Sequence, residues 1–550
     1  MTFVQKVDGW LAGRPGPRAW QLIVAGSLAS GALFALCARM EWAWLLFVAP
    51  VPWLFALDRL TRTKHALAAG ALLSAVFVAL VLPWFPAAVG RYTGAPSALL
   101  WVLYLALAPL VEPQIVAFAL SRRLLRGDGS ALSRARAAVG GAFVWVAVEK
   151  ACPKLFFDTL GQGFYPSPLL RQAADLAGVH GLTLAALLVA EAILAAAAPA
   201  KEPDKASFRG AHLDRYRPLV VALVGVAMWL GHGASRRAAL SAPATAHVDI
   251  GVVQANITAY EKLRAEKGAF ETVAYILDTH VAMSDELLKA HKSDFVVWPE
   301  TVYPTTFGSP KSEAGETFDR AIEAYSATRR IPLVFGAYDA EDGLEYNATF
   351  FLSPRGEERP SRAVYRKHLL FPLTEWVPAA LDSPGLRRAF PWLGTWSRGP
   401  GARVVPYSLP GREPLRVLPL ICYDALSSSL VAEGASSGAD VIVTLSNDSW
   451  FPDERAPRLH LISAALRSVE TGLAQVRATN SGVSAVISPT GDIEGQTPWD
   501  AAKTMVARVT VASAAPPPAV RWGPRLGPIA WVVAALLLLQ AWRSGRPKKA

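Results

Sequence analysis

The chain has 550 residues, 52% of them hydrophobic and 18% charged, with a formal net charge of +11 and a mean hydropathy of +0.28. That is too apolar for a soluble protein of this length, so the apolar residues must be concentrated in segments that leave water. The basic balance does not mark a nucleic-acid binder, because Lys and Arg fall in loops between apolar runs and no basic-aromatic motif accompanies them.

From the N-terminus, eight runs read as membrane spans: 19–38, 42–57, 66–90, 92–111, 137–148, 179–198, 218–235 and 526–542. A hydrocarbon core about 30 Å thick takes roughly 20 apolar residues per helix, so the shorter runs require tilt or aromatic flanks. The first run lacks a small-residue cleavage site and is read as a retained span, not a signal peptide. With eight spans, one side of the membrane receives 20 Lys or Arg and the other five. The positive-inside rule then puts both termini in the cytoplasm and residues 236–525 on the outer face. The expected organisation is a transmembrane bundle over 1–235, a tether at 236–246, a folded domain at 247–513, a second tether at 514–525, and a last span with a basic cytoplasmic tail at 526–550.

From His247 the periodicity changes. Short β-rich runs at 248–254, 294–298, 331–335, 347–352, 416–421, 440–445, 474–479 and 484–488 predict strands, and helix-like segments at 270–291, 314–329, 426–437 and 459–472 fall between them. Such alternation argues for one α/β layered domain, and α/β folds place chemistry at strand ends. There the sequence sets Glu300, Cys422 and Asn447-Asp448.

Only three cysteines occur, Cys37, Cys152 and Cys422, at spacings that suit neither a disulfide framework nor a metal site. A thiol with an ordinary pKa near about 8.5 needs a base or a cation to act as a thiolate. Glu300, after Trp298-Pro299, can accept its proton. Lys367, within Arg366-Lys367-His368, can favour the thiolate and then the oxyanion of a tetrahedral intermediate. A rival is Gly434-Ala-Ser436-Ser-Gly438, which matches the nucleophile-elbow pattern. That elbow needs a strand before the serine and a helix after it, and here the order is reversed. The domain histidines (His280, His291, His368, His460) lack metal-binding spacing, so neither a metal nor a cofactor is expected. The sequons at Asn256, Asn347 and Asn447 matter only in a cell that glycosylates them.

These residues carry a resemblance. Val253-Gln-Ala-Asn256, Trp298-Pro-Glu300, Tyr365-Arg-Lys-His368, Phe371-Pro-Leu-Thr-Glu375-Trp-Val-Pro378, Ile421-Cys-Tyr-Asp424, Ser446-Asn-Asp-Ser-Trp-Phe451 and Arg477-Ala-Thr-Asn480-Ser-Gly482 occur in order. Residues 248–500 are similar to the carbon-nitrogen hydrolase (nitrilase) superfamily. With the spans, and Ala174-Asp-Leu-Ala-Gly-Val-His-Gly-Leu182 among them, the whole chain resembles the apolipoprotein N-acyltransferases. The resemblance implies an αββα sandwich of two sheets between helices, with a catalytic triad of Glu300, Lys367 and Cys422. It implies a ping-pong reaction in which Cys422 takes an acyl chain from a membrane phospholipid as a thioester. The α-amino group of the N-terminal diacylglyceryl-cysteine of an apolipoprotein then attacks that thioester. Glu375 matches a second essential glutamate, and the backbone N–H of Tyr423 would complete the oxyanion site. A monomer in the inner membrane of a Gram-negative bacterium, its catalytic domain periplasmic, is the implied setting. The chain departs from the pattern at Thr374, where glycine is usual, and at Asp424, where glutamate is usual. A family tryptophan also lacks a counterpart around 260–263. The competing reading is a membrane-tethered nitrilase-type amidase acting on a small amide; Asp424 favours it, and so many spans argue against it. Independently of the resemblance, the aromatic stretch 369–396 suits a loop at a lipid interface.

Overall fold

The computed structural model describes residues 17–127, 130–152, 154, 158–197, 216–241, 246–258, 260–356, 358–512 and 515–544. The basic segments holding Lys6 and Arg14, most of the 198–217 loop, parts of both expected tethers and the tail beyond Ser544 lie outside the described residues. The chain divides into an apolar helical unit and an α/β unit spanning 239–521.

Six described helices are long and apolar enough to cross a membrane: Arg18–Ala38, Thr63–Val81, Ala131–Ala151, Leu170–Ala197, Arg217–Leu240 and Leu526–Arg543. A seventh candidate is the pair Ser97–Val111 and Pro113–Leu125, bent by 49°. Pro113 explains the bend, since it has no N–H to donate and its ring disfavours helical geometry in the preceding residue. The expected second span, 42–57, is instead a 3-10 turn at Ala43–Phe47 and a nine-residue helix at Val51–Arg59. At 1.5 Å per residue, nine residues cover roughly 14 Å, too little to cross alone. Helix length therefore gives six spans, or seven, where the sequence pattern gives about eight. Several buried charges among the described residues of this unit are paired, as burial demands. Arg122 Nε donates to Glu191 Oε1 at 2.6 Å, and Lys154 Nζ lies 3.0 Å from Glu112 Oε2.

The α/β unit is built on two mixed sheets. The first runs β13-β1-β2-β4-β5-β6, with β3 beside β4. Its strands are β1 (His247–Gln254), β2 (Phe295–Val297), β3 (Tyr303–Thr306), β4 (Leu333–Glu341), β5 (Leu344–Arg355), β6 (Glu358–Arg366) and β13 (Lys503–Thr510). The second runs β12-β11-β10-β9-β8-β7, from β7 (Val405–Tyr407), β8 (Leu415–Ile421), β9 (Val441–Ser446), β10 (Gln475–Thr479), β11 (Ala485–Ile487) and β12 (Ile493–Gln496). The sides of the strands explain the layers. Val334 joins Val252, Val297, Val417, Val443 and Val476 in the core between the sheets. Its neighbours Leu333 and Phe335 face the other way, onto Val273 and Ile276 of helix Ala269–Ala290 and Ile322 of helix Glu313–Arg329. That is the period of two expected of strands buried on both faces. The second sheet packs its outer face likewise on Val431 of helix Ser428–Ser436 and Ala464 of helix Arg455–Thr471. The result is helix, sheet, sheet, helix.

One polar knot crosses the core. Gln254 Oε1 accepts from Thr479 Oγ1 at 3.0 Å, Ser484 Oγ at 2.7 Å and Thr497 Oγ1 at 2.7 Å. Its amide donates to the carbonyls of Pro498 and Ala501, so a fully buried side chain has its hydrogen bonds made.

Candidate active site

Strand β8 ends at Ile421, and Cys422 opens the 3-10 turn Cys422–Leu426. Its φ is +49°, a left-handed conformation that costs a non-glycine residue about 1–3 kcal/mol and survives only where the surroundings impose it. Such a turn after a strand lifts the side chain out of the sheet, the backbone arrangement on which nucleophile elbows rely. Asp424 helps impose it. Its Oδ2 accepts from Ile421 N at 3.2 Å and from the Tyr365 hydroxyl at 2.9 Å, while Oδ1 accepts from Leu369 N at 2.7 Å. Burial raises the Asp424 pKa to about 6, and these hydrogen bonds resist the rise.

Glu300 follows β2 on a turn in which Thr301 has φ +60°. That turn rests against Gly336 of β4, where any Cβ would stand 2.6 Å from Glu300 Cα, so glycine is required. Glu300 Oε1 accepts from Asn347 Nδ2 at 2.8 Å and faces Lys367 Nζ at 3.3 Å; Oε2 accepts from Asn447 N at 2.8 Å. Lys367, just past the end of β6, is 2% exposed. Its ammonium donates more closely to Glu375 Oε1, at 2.7 Å, and Glu375 Oε2 is held by Phe371 N at 2.7 Å. Burial works against the Lys367 charge, but Glu300 and Glu375 outweigh it and hold its pKa well above the ordinary lysine value. Around Cys422 the balance goes the other way. Burial and the nearby Glu300 charge push the thiol pKa up, against the pull of Lys367 and a hydrogen bond with Ser446. That direction favours the neutral thiol, which would need a base to act as a nucleophile.

A second buried group also meets Cys422. His460 Nε2 is 3.2 Å from the Cys422 carbonyl oxygen. Arg477 Nη2 donates to Asp448 Oδ2 at 2.9 Å and lies 3.0 Å from His460 Nδ1, while Ser446 Oγ donates to Asp448 Oδ1 at 2.8 Å. Cys422, Asp448 and His460 bring one donor atom each within 4.8 Å of one another, which by distance alone suits a metal ion. The chemistry does not. The Arg477 cation already neutralises Asp448 and abuts His460, so a second cation would have to displace it. No step is assigned to a metal here.

Of the residues singled out in the sequence, the structure gathers Glu300, Lys367 and Glu375 into one ionic cluster, and Glu300 and Lys367 both act electrostatically on Cys422. Tyr423 packs its ring edge-on against Phe371 at 5.2 Å, and Trp450 meets Phe371 at 5.6 Å, forming an aromatic wall beside the elbow. The rival Ser436 closes a helix, its hydroxyl spent on the Glu433 carbonyl. Asn347, His460 and Arg477 were not legible as a site. Asn347 stood out only as a sequon. Arg477 carried a usable signal, a charge in the middle of the buried run 474–479, which must have a buried partner.

Two stacked mixed sheets between helix layers, with a thiol on the turn after an inner strand, define the carbon-nitrogen hydrolase class, and that family model matches residues 249–517. The apolipoprotein N-acyltransferase N-terminal domain model matches residues 30–192. An apolipoprotein N-acyltransferase of Allorhizobium ampelinum is 30% identical over 72% of this chain and 70% of its own. One from Bdellovibrio bacteriovorus is 28% identical over 83% of this chain and 82% of its own. A solved carbon-nitrogen hydrolase from Helicobacter pylori G27 aligns with 52% of this chain and 94% of its own, at 16% identity and a TM-score of 0.35. The chain belongs to the apolipoprotein N-acyltransferase family, within the nitrilase superfamily, and is a multi-pass membrane protein.

Proposed function

We propose that this chain is an apolipoprotein N-acyltransferase that moves an acyl chain from phospholipid to the α-amino group of the diacylglyceryl-cysteine of a lipoprotein, through a thioester on Cys422. The observation that carries the mechanism is the left-handed Cys422 turn set beside a buried lysine held between two carboxylates. Glu300 takes the thiol proton as sulfur attacks the ester carbonyl. Lys367 and the Tyr423 N–H stabilise the oxyanion. Collapse expels the lysophospholipid, whose oxygen takes the proton from Glu300. In the second half Glu300 accepts a proton from the attacking amine, the C–S bond breaks and the thiol is restored. Glu375, bonded more closely to Lys367 than Glu300 is, orients the ammonium and leaves Glu300 free to exchange its proton.

The proposed placement of the domain is supported by the charges beside its two flanking helices, whatever the total number of spans. The 198–217 loop before helix Arg217–Leu240 holds Lys201, Lys205, Arg209, Arg215 and Arg217, and the tail after Leu526–Ser544 holds Arg546, Lys548 and Lys549. Both basic flanks belong in the cytoplasm, which puts residues 247–513 in the periplasm, where exported lipoproteins are met. Leu373, Leu381 and Phe390 of the 369–396 segment are exposed and would meet the lipid surface, whereas Trp376 and Trp396 pack inward, onto Leu370 O and Tyr338. Intact-mass analysis after incubation with phospholipid tests the reading. It should show a fatty-acyl adduct on Cys422 that hydroxylamine removes, and a mature protein without such an adduct would refute the thioester.

A further inference from the structure

We propose that His460 is a positioning residue, locked in one neutral tautomer by Arg477 and Asp448, whose Nε2–H holds the Cys422 carbonyl and with it the left-handed turn that aims the thiol. The proposal rests on Cys422 being the nucleophile. Two groups face His460 Nδ1, Arg477 Nη2 at 3.0 Å and Asp448 Oδ1 at 3.3 Å. The Cys422 carbonyl beside the other nitrogen can only accept, so in the neutral ring Nδ1 is left as the acceptor for Arg477, which can only donate. The remaining ring nitrogen then carries the hydrogen and donates it to the Cys422 carbonyl 3.2 Å away. Burial, and next the Arg477 charge, lower the His460 pKa, so the ring stays neutral. Asp448 anchors the other side. Arg477 and His460 pull its pKa below the usual carboxylate value despite burial, and Ser446, at the end of β9, fixes its second oxygen.

The arrangement is rigid by construction. Asp448, Arg477 and Ser446 are each at most 1% exposed. Gly482 has no room for a Cβ, which would fall 2.2 Å from Asp448 Oδ2. The network thus gives Ser446, Asp448, Arg477 and Gly482 a role that the acid-base chemistry leaves unfilled. It also supplies what the strained φ of Cys422 requires, a second partner besides Asp424 that helps over-determine the backbone. The His460 ring is engaged on both nitrogens, so it shuttles no proton.

The test uses the full-length protein in phospholipid nanodiscs with three variants, His460→Gln, His460→Asn and His460→Leu. The rate of thioester formation is followed by intact mass against phospholipid concentration, and folding is checked by thermal melt. Glutamine keeps a donor for the Cys422 carbonyl and an acceptor for Arg477; asparagine is polar but too short to reach, and leucine has neither. His460→Leu and His460→Asn should lose about 10- to 100-fold in maximal rate, the scale of a misplaced reacting atom, at unchanged half-saturation. His460→Gln should return to within about fivefold of the parent rate. Parent-like rates in His460→Leu or His460→Asn would overturn the proposal, as would a His460→Gln variant as slow as the other two, since that would mean the imidazole itself takes part. Should His460→Leu not fold, the glutamine and asparagine pair decides. Iodoacetamide alkylation of Cys422 runs in parallel and should slow in the same order. If the parent protein forms no thioester, the nucleophile assignment fails, and the alkylation order still decides whether His460 positions the thiol.

Discussion

The two flanks of Cys422 are built on opposite terms. On one, a single ammonium serves two carboxylates, Glu375 keeps 15% side-chain exposure, and the hydrogen bonds to Glu300 come from three different elements. On the other, one guanidinium, one carboxylate and one imidazole close on each other at the core, with Arg477 and Asp448 side chains fully buried. The first flank has more acceptors than protons, so a proton can move among its members. In the second, both oxygens of Asp448 and both ring nitrogens of His460 are engaged. The role proposed for Cys422 needs both, because a nucleophile must lose a proton without losing its place.

The largest expected effect breaks the comparison at its centre. Cys422→Ala should form no acyl adduct and transfer nothing; an adduct that persists in it would mean another residue carries the acyl group. Next, Glu300→Gln and Lys367→Met should fold, insert and lose about 10²- to 10⁴-fold in activity, read as initial rates of acyl transfer to a diacylated lipopeptide. Near-normal turnover in either would show that the ionic flank is not the chemical one. Glu375→Gln should cost less, about 10- to 100-fold, because the amide can still accept from Lys367 but no longer as a charge. Assaying thioester formation and transfer separately would show which half of the reaction needs it.

On the rigid flank, Gly482→Ala should lower stability by about 1–3 kcal/mol by pressing on the Asp448 carboxylate, measured as a fall in the melting temperature of the purified protein. The smallest effect concerns pH. Because burial and Glu300 raise the Cys422 pKa, the thiolate fraction should climb about tenfold per pH unit from 7 to 9, and the rate of iodoacetamide alkylation with it. Lys367→Met, which removes the cation favouring thiolate, should lower the whole profile. A plateau below pH 8 in the parent would mean that the thiol is activated at rest.

Sequence alone was enough for whatever depends on neighbours in the chain. Apolar runs report burial or lipid directly, and alternating runs report strands, so local pattern suffices to place the apolar helices and the eight strand-like runs from 248 to 488. It also draws attention to Glu300 and Cys422, because a polar residue ending a buried strand has few structural reasons to be there, whereas Lys367, after the partly exposed β6, is singled out only as the cation a thiolate needs. Strands β3, β6, β7, β12 and β13 escaped the pattern: several are only three or four residues long, and the partly exposed β6 and β13 mix charges into their runs. The 42–57 run shows the converse error, since composition registers its apolarity but not the break before Pro50 and Pro52 that leaves its helix too short to cross. What only the tertiary structure decided is who meets across the sheets. Asn347 on β5, Asn447 after β9, His460 on a helix and Arg477 on β10 come together through sheet order and stacking. No local period encodes that order, because it is set by the packing of two sheets whose inner faces must be buried against each other.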